Sequence, residues 1–595
     1  MFLARALALL VFVSIASAHP TILVDPVIVE DGLDYVKSTT TPDKLEAPYA
    51  DMRVDSFRKE IIHAEKDTTP ETSATKADFA IVKRRSSLRK LIEKLIEKLI
   101  VWQDTHISLI NATPYRWHMT YNSSYSLMEW DLNWPPYISP GESVTLRVRN
   151  HAHLLRPNKD AAGEVTYELE GTRQPMSFQV QYRSGTHHEV FVQFRDQLKT
   201  LSNEVNSVHN LGLSPYPGGV GFMLAGKEGD FISNGAPKQW MQSQLAEIGD
   251  LPLRSIALTR SHNSGMWLPM HRIGFETAEN VLTQSRSIYE QVSSGGVRVI
   301  DYHPMLTKNG RFIASTGYWL GPRYQGMKGP YLRIMIDQLN RFMYESPGEL
   351  FIWDLSHEDA RSRLRHFKML NAADVALLCE ELKIIKHRAN LRFRDKEDIT
   401  FWPLKDFISP EHKDLGQSTV IIRVPSEWAK KGNFSAEEGF VSEENFPIGS
   451  HPIRTDKVDL FVKEQVVSLT EARPSRTAVM YNMNWFLTTG VLQAYNLGKA
   501  LGVVPFLLER NREAWRTLYN QSWYAMSDTT YPNMITMNNV HGGSLKAMVM
   551  VINKCFVARR CGSLGGKVNM PEGEDKEGND EKKESNGEEK DGGEE

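Results

Sequence analysis

Histidine, aspartate and arginine stand repeatedly at the ends of short apolar runs in this chain, and together they can move a proton and neutralise an oxyanion. The first such run, Leu253 to Leu258, closes in Thr259-Arg260-Ser261-His262-Asn263-Ser264-Gly265. An apolar run of this length ended by Asn-Ser-Gly reads as a buried strand that delivers His262 to its carboxyl end, where barrels of alternating strands and helices carry their chemistry. A lone histidine in a loop is most often only hydrogen-bonded. Here other runs end in the same way. Val297-Arg298-Val299-Ile300 leads to Asp301 and His303, Leu350 to Trp353 leads to Asp354, His357 and Glu358, and Thr419 to Ile422 ends in Arg423. Ala478 to Tyr481 ends in Asn482, and Met534 to Met537 in Asn538. Asp301 and His303, two apart on a strand, share a face.

These runs need elements to hold them. Helical periodicity is expected over Thr277 to Ser293, Tyr331 to Tyr344 and Asn371 to Ala389, with Asn371 as an N-cap. Strand, loop and helix in alternation predict a parallel (β/α) barrel spanning 240–562. Ahead of it, 103–235 alternates with period two, as in Ser143-Val144-Thr145-Leu146-Arg147-Val148 and Glu189-Val190-Phe191-Val192-Gln193-Phe194, which predicts an antiparallel β-sandwich. Trp117, Trp130, Trp134 and Tyr137 in that region suit either an aromatic binding platform or core and turn packing.

The ends have other compositions. Residues 1–18 combine Arg5, an apolar run and Ala16-Ser17-Ala18, the pattern of a cleaved secretory signal. Residues 19–85 lack sustained periodicity and are expected to be extended or disordered. Residues 86–102, built on Leu-Ile-Glu-Lys repeats, predict an amphipathic helix whose mixed polar face favours protein packing over lipid. The tail, 566–595, is low-complexity; its last 25 residues carry twelve acidic and four basic side chains, and it is expected to be disordered.

At 595 residues, 41% hydrophobic and 24% charged, the chain is long enough for more than one domain. Its net charge of -3 and the lack of a basic stripe interleaved with aromatics argue against nucleic acid. Three cysteines cannot form a disulfide scaffold: Cys379 falls on the apolar face of a helical pattern, and Cys555 and Cys561 could pair across a short loop. Sequons at Asn111, Asn122, Asn433 and Asn520 fit a secreted chain. Nothing in the pattern fixes an oligomeric state.

Trp240-Met241, Leu251 to Gly265, Gly296 to Asp301 and Glu349 to His357, in this order and spacing, resemble the X-domain barrel of phosphatidylinositol-specific phospholipases C and related phosphodiesterases, above all secreted fungal members with an N-terminal β domain. The resemblance implies an irregular TIM barrel that cleaves a phosphodiester with histidine acid and base. His262 matches the first histidine. Asn263 matches a position that is Asp in some members and a calcium-binding Asn in others, and Asp301 matches an acidic residue that binds metal in calcium-dependent members. Four departures stand out. Phe312-Ile313-Ala314-Ser315-Thr316-Gly317-Tyr318 offers no second histidine, and His303 stands where arginine or a carboxylate is usual. Asn538 replaces an orienting aspartate, and Arg260 replaces a glycine.

The enzyme reading takes His262 as base, with Asp301 beside it and His303 as acid or phosphate ligand. Arg260, Arg423 and Asn263 contact the phosphate, and Asp354, His357 and Asn538 give support. Calcium on Asn263 and Asp301 is allowed but not favoured, because His303 sits where a carboxylate is wanted. The implied partners are a phospholipid or inositol-phosphate substrate, with peripheral membrane or cell-wall contact. The alternatives are a degenerate barrel that binds phosphate headgroups or glycans without turnover, and an adhesive wall protein acting through its β domain.

Overall fold

A computed structural model describes residues 105–564, except 129, 151–159, 185–187, 213–218, 275, 277, 357–359, 395, 409–416, 432–433 and 489–506. The expected signal, lead segment, amphipathic helix and acidic tail, together with His357, lie outside the described residues.

The site is carried by a curled sheet of eight parallel strands. They are β1 (Leu258–Ser261), β2 (Val299–Tyr302), β3 (Leu350–Leu355), β4 (Thr419–Val424), β5 (Phe440–Ser442), β6 (Ile448–Ser450), β7 (Met480–Asn484) and β8 (Met534–Met537). All six strands expected from the apolar runs are present, and β5 and β6 add three residues each at the two edges. The strands succeed one another in chain order, and β1 pairs with β2 on one side and with β8 on the other. The open seam falls between β5 and β6. Their Val, Ile, Leu and Trp side chains are buried, as parallel strands covered on both faces require, except Ile448 on edge strand β6, which is partly buried.

Helices follow the expected positions with two differences. Leu332–Glu345 forms as expected, and Ala372–Leu382 begins at an Asn371 cap that forms a capping box with Asp374 but ends earlier than the pattern suggested. The expected helix over Thr277 to Ser293 is instead two short helices, Ala278–Val281 and Ile288–Ser293, because Ser287 takes an extended conformation and caps the second. Cys379 is buried and free, and Cys555 is bonded to Cys561.

Over the carboxyl ends of β1 and β2 lies a six-stranded sheet of short segments: His271–Ile273, Arg323–Tyr331, Phe312–Leu320, Pro304–Leu306, Arg361–Ser362 and Lys368–Met369, in spatial order. The register slips between Ile313 and Ser315. Bulges of this kind re-aim the backbone beside sites, and here the Ser315 carbonyl is turned toward Asn263.

The N-terminal region forms two sheets, of five and six strands, around a shared core containing Trp117, Tyr167, Phe178 and Phe222. One pairing departs from the antiparallel expectation: Thr105–Ala112 runs parallel to Gly219–Ala225. Both strands are buried throughout, since the second face of that sheet meets helix Ser544–Ile552 of the barrel region, every residue of which is buried. The Trp523 indole donates to the Gly141 carbonyl at 2.9 Å, and the Ser143 hydroxyl to the Tyr519 carbonyl at 2.6 Å. Trp117, Trp130 and Trp134 are core residues, so the aromatic platform does not form; Tyr137 instead stacks on His118. Asn111 is wholly buried and its amide donates to the carbonyls of Tyr115 and Ile138, which leaves no room for a glycan at that sequon.

Candidate active site

Strand register builds the site. In parallel pairs Asp301 lies opposite Asp354, and Asp354 opposite Arg423. Ser261 is opposite both Ile300 and Met537, so the next residue, His262, falls in step with Asp301 and Asn538. Paired residues on parallel strands share a face, so Asn538, His262, Asp301, Asp354 and Arg423 form one row. Arg260, two residues before His262, stands one layer below on the same face.

His262 is partly buried and gripped from two sides. Its Nδ1 is 2.7 Å from Oδ1 of Asn538, and its ring stacks on Phe486 with centroids 4.0 Å apart and planes at 8°. An amide oxygen accepts, so Nδ1 carries the hydrogen and Nε2 keeps the lone pair a general base needs. Burial, only partly offset by the Asp301 carboxylate, lowers His262 to about 4 and holds it neutral. Phe486 follows β7 in a stretch that carries no polar signature, and sequence reasoning missed it.

His303 lies with its ring centroid 6.4 Å from that of His262, the planes at 77°, and its Nε2 is 3.2 Å from Oδ1 of Asp301. Asp301 also receives Nη2 of Arg260 at 2.7 Å and the backbone N–H of Asn263 at 2.8 Å. Asn263 can aim that N–H because it adopts φ of +39°, which asparagine tolerates. Burial would raise Asp301, but the charges of Arg260 and His303 prevail and hold it well below the usual carboxylate range.

Arg260 Nη2 reaches Asp354 as well, at 3.0 Å, and Arg423 Nη1 reaches the other oxygen of Asp354 at 2.7 Å. Arg423 further donates from Nε to the Phe446 carbonyl and approaches Glu443 at 3.5 Å. Both arginines assigned to the phosphate are therefore engaged by carboxylates, and two arginines against two aspartates leave no surplus charge in the row. His262, Asp301, His303, Asp354, Asn538, Arg260 and Arg423 do come together.

Calcium on Asn263 and Asp301 would meet an occupied carboxylate: Asp301 already accepts from Arg260, His303 and the Asn263 backbone N–H, so a cation there would have to displace the guanidinium, while Oδ1 of Asn263 is buried without a donor among the described residues. Among the described residues no three metal-ligating side chains cluster.

No family model matches the chain, and no curated protein does. Among solved structures, the phosphatidylinositol-specific phospholipase C of Staphylococcus aureus is similar at 12% identity and a TM-score of 0.39, covering 53% of this chain and 98% of that one. The phosphatidylinositol-specific phospholipase C of Listeria monocytogenes is similar at 14% identity and a TM-score of 0.36, with coverage of 53% and 98%.

Proposed function

We propose that this chain is a secreted phosphoric diester hydrolase or lyase of the phosphatidylinositol-specific phospholipase C type, built as an irregular TIM barrel preceded by a β-sandwich domain. One observation carries the reading: two imidazoles lie edge to face at strand ends, His262 fixed by Asn538 and His303 by Asp301. A hydroxyl of the substrate, or water, would attack phosphorus from the His262 side, with the leaving oxygen toward His303. His262 Nε2 takes its proton as the oxygen attacks, and the leaving oxygen departs from phosphorus with a proton from the His303 imidazolium, stabilised by Asp301. Phe486 and Asn538 keep the base from rotating away. The Cys555–Cys561 bond supports an oxidising compartment.

A second reading is favoured by the pairing of Arg260 and Arg423 with Asp301 and Asp354, which leaves neither charge free to stabilise a transition state: a barrel that binds phosphate headgroups without turnover. The experiment is a screen of phosphatidylinositol, glycosylated inositol lipids and an aryl phosphodiester, using wild type and His262→Ala. Turnover lost in the variant supports catalysis. Absence of turnover on all three, with retained binding of inositol phosphate, supports the binding module.

A further inference from the structure

Beside the histidine site is a second cavity, of about 540 Å³, whose walls are cationic and aromatic: Arg361, Arg365 and Lys368, with Trp319 and Phe367. Arg361 pairs in register with Met305, two residues after His303, so one small sheet carries both places. The segment Arg361-Ser362-Arg363-Leu364-Arg365-His366-Phe367-Lys368 has four cations in eight residues. Their charge is poorly answered. Nε of Arg361 and Nε of Arg363 are buried without an acceptor among the described residues, and the ion pair of Arg365 to Asp374 is long, at 3.9 Å. Of the lining cations Arg361, Arg365 and Lys368, this long pair is the one ion pair made among the described residues, so the cavity keeps positive charge for an anion to answer. Lys328 nearby is lowered by burial and then by the positive charges of Arg363 and Lys308, the mark of a local excess of cations.

The aromatic wall is braced. Tyr324 stacks on Phe367 with centroids 4.7 Å apart and meets Trp319 edge-on at 5.6 Å. His366 and Phe367 both sit at positive φ, 54° and 60°, a strained turn that presents the Phe367 ring. Trp319 remains 46% exposed. Cations take an anion, and exposed aromatic faces take the carbon face of a ring.

We infer that this cavity is a second binding site for a sugar or cyclitol phosphate, either free or borne on a lipid headgroup, held by Arg361, Arg365 and Lys368 with its ring against Trp319 and Phe367. The site stands apart from the catalytic reading, so it is tested in the His262→Ala background as well as in the wild type.

Calorimetric binding of myo-inositol 1-phosphate, and sedimentation with vesicles of equal parts phosphatidylcholine and phosphatidylinositol, give the two sources. Arg361→Gln/Arg365→Gln/Lys368→Gln should weaken one or both by roughly tenfold or more, since charge-assisted hydrogen bonds are lost, with equal loss in both backgrounds. If the triple variant misfolds, the more exposed pair Arg365→Gln/Lys368→Gln carries the same test. Trp319→Ala should weaken inositol phosphate while leaving inorganic phosphate unchanged. Affinities unaltered by the charge substitutions overturn the site, and equal loss of both phosphates in Trp319→Ala overturns the ring contact.

Discussion

Nδ1 of His262 lies 2.7 Å from the amide oxygen of Asn538, a residue 276 positions later in the chain. A neutral amide sets the tautomer of the imidazole but adds no charge to stabilise an imidazolium. Asn538→Asp supplies that charge, so His262 should rise from its value of about 4. The acid limb of the pH profile of kcat/KM should move to higher pH, and the rate near neutrality should rise, by up to about tenfold, with the stronger base. A limb that stays in place would show that Asn538 does not act on His262.

His262→Ala and His303→Ala should each lower kcat/KM by roughly 10²–10⁴-fold, and the double variant by little more than either alone, since acid and base work on one transition state. Steady-state kinetics on a soluble aryl phosphodiester measure this. Full additivity would separate the two histidines mechanistically.

Phe486→Leu tests the grip on the imidazole. With the stacking at 4.0 Å removed, kcat should fall while KM changes little, because substrate contacts remain and only the placement of the base is loosened. A change in KM alone would place Phe486 on the substrate instead.

How much of this row is legible in the sequence is visible in its members. His262, Asp301, Asp354 and Arg423 each end an apolar run, so their arrival at strand ends follows from pattern alone. That Arg260 bridges Asp301 and Asp354 depends on the register between β1, β2 and β3, which hydrophobic periodicity does not encode across barrel strands. β5 and β6 are too short to leave a periodic trace, and the Ser287 extension that splits the helix between β1 and β2 is a local cap overriding a continuous pattern.

Acid stability gives a further test. His262 and His541 are both lowered by burial to about 4, against about 6.5 unfolded. The unfolded chain therefore binds more protons between those values: their contribution is full above about pH 6.5 and is lost as pH falls to about 4. Asp301, lowered in the fold, keeps its contribution until pH falls below the ordinary carboxylate value of about 3.9. Melting temperature should fall between pH 6.5 and 4, and His541→Gln should flatten part of that slope. A melting temperature flat across this range would contradict the burial of these rings.

Chelator should leave turnover unchanged, because Arg260 already stands between the two carboxylates. Loss of activity with chelator, restored by calcium, would show that the guanidinium is displaced when substrate is turned over.

The pairing of β1 with β8 also sets a timetable. β1 needs β8 on one side, and His262 needs Asn538, so a chain still emerging from the ribosome holds neither the complete eight-stranded sheet nor an oriented base until its last strand is made. Helix Ser544–Ile552, which packs on the N-terminal sheet, comes later still. A nascent chain halted before β8 exposes an unpaired edge of β1, which makes late synthesis the interval in which this protein most needs protection from aggregation.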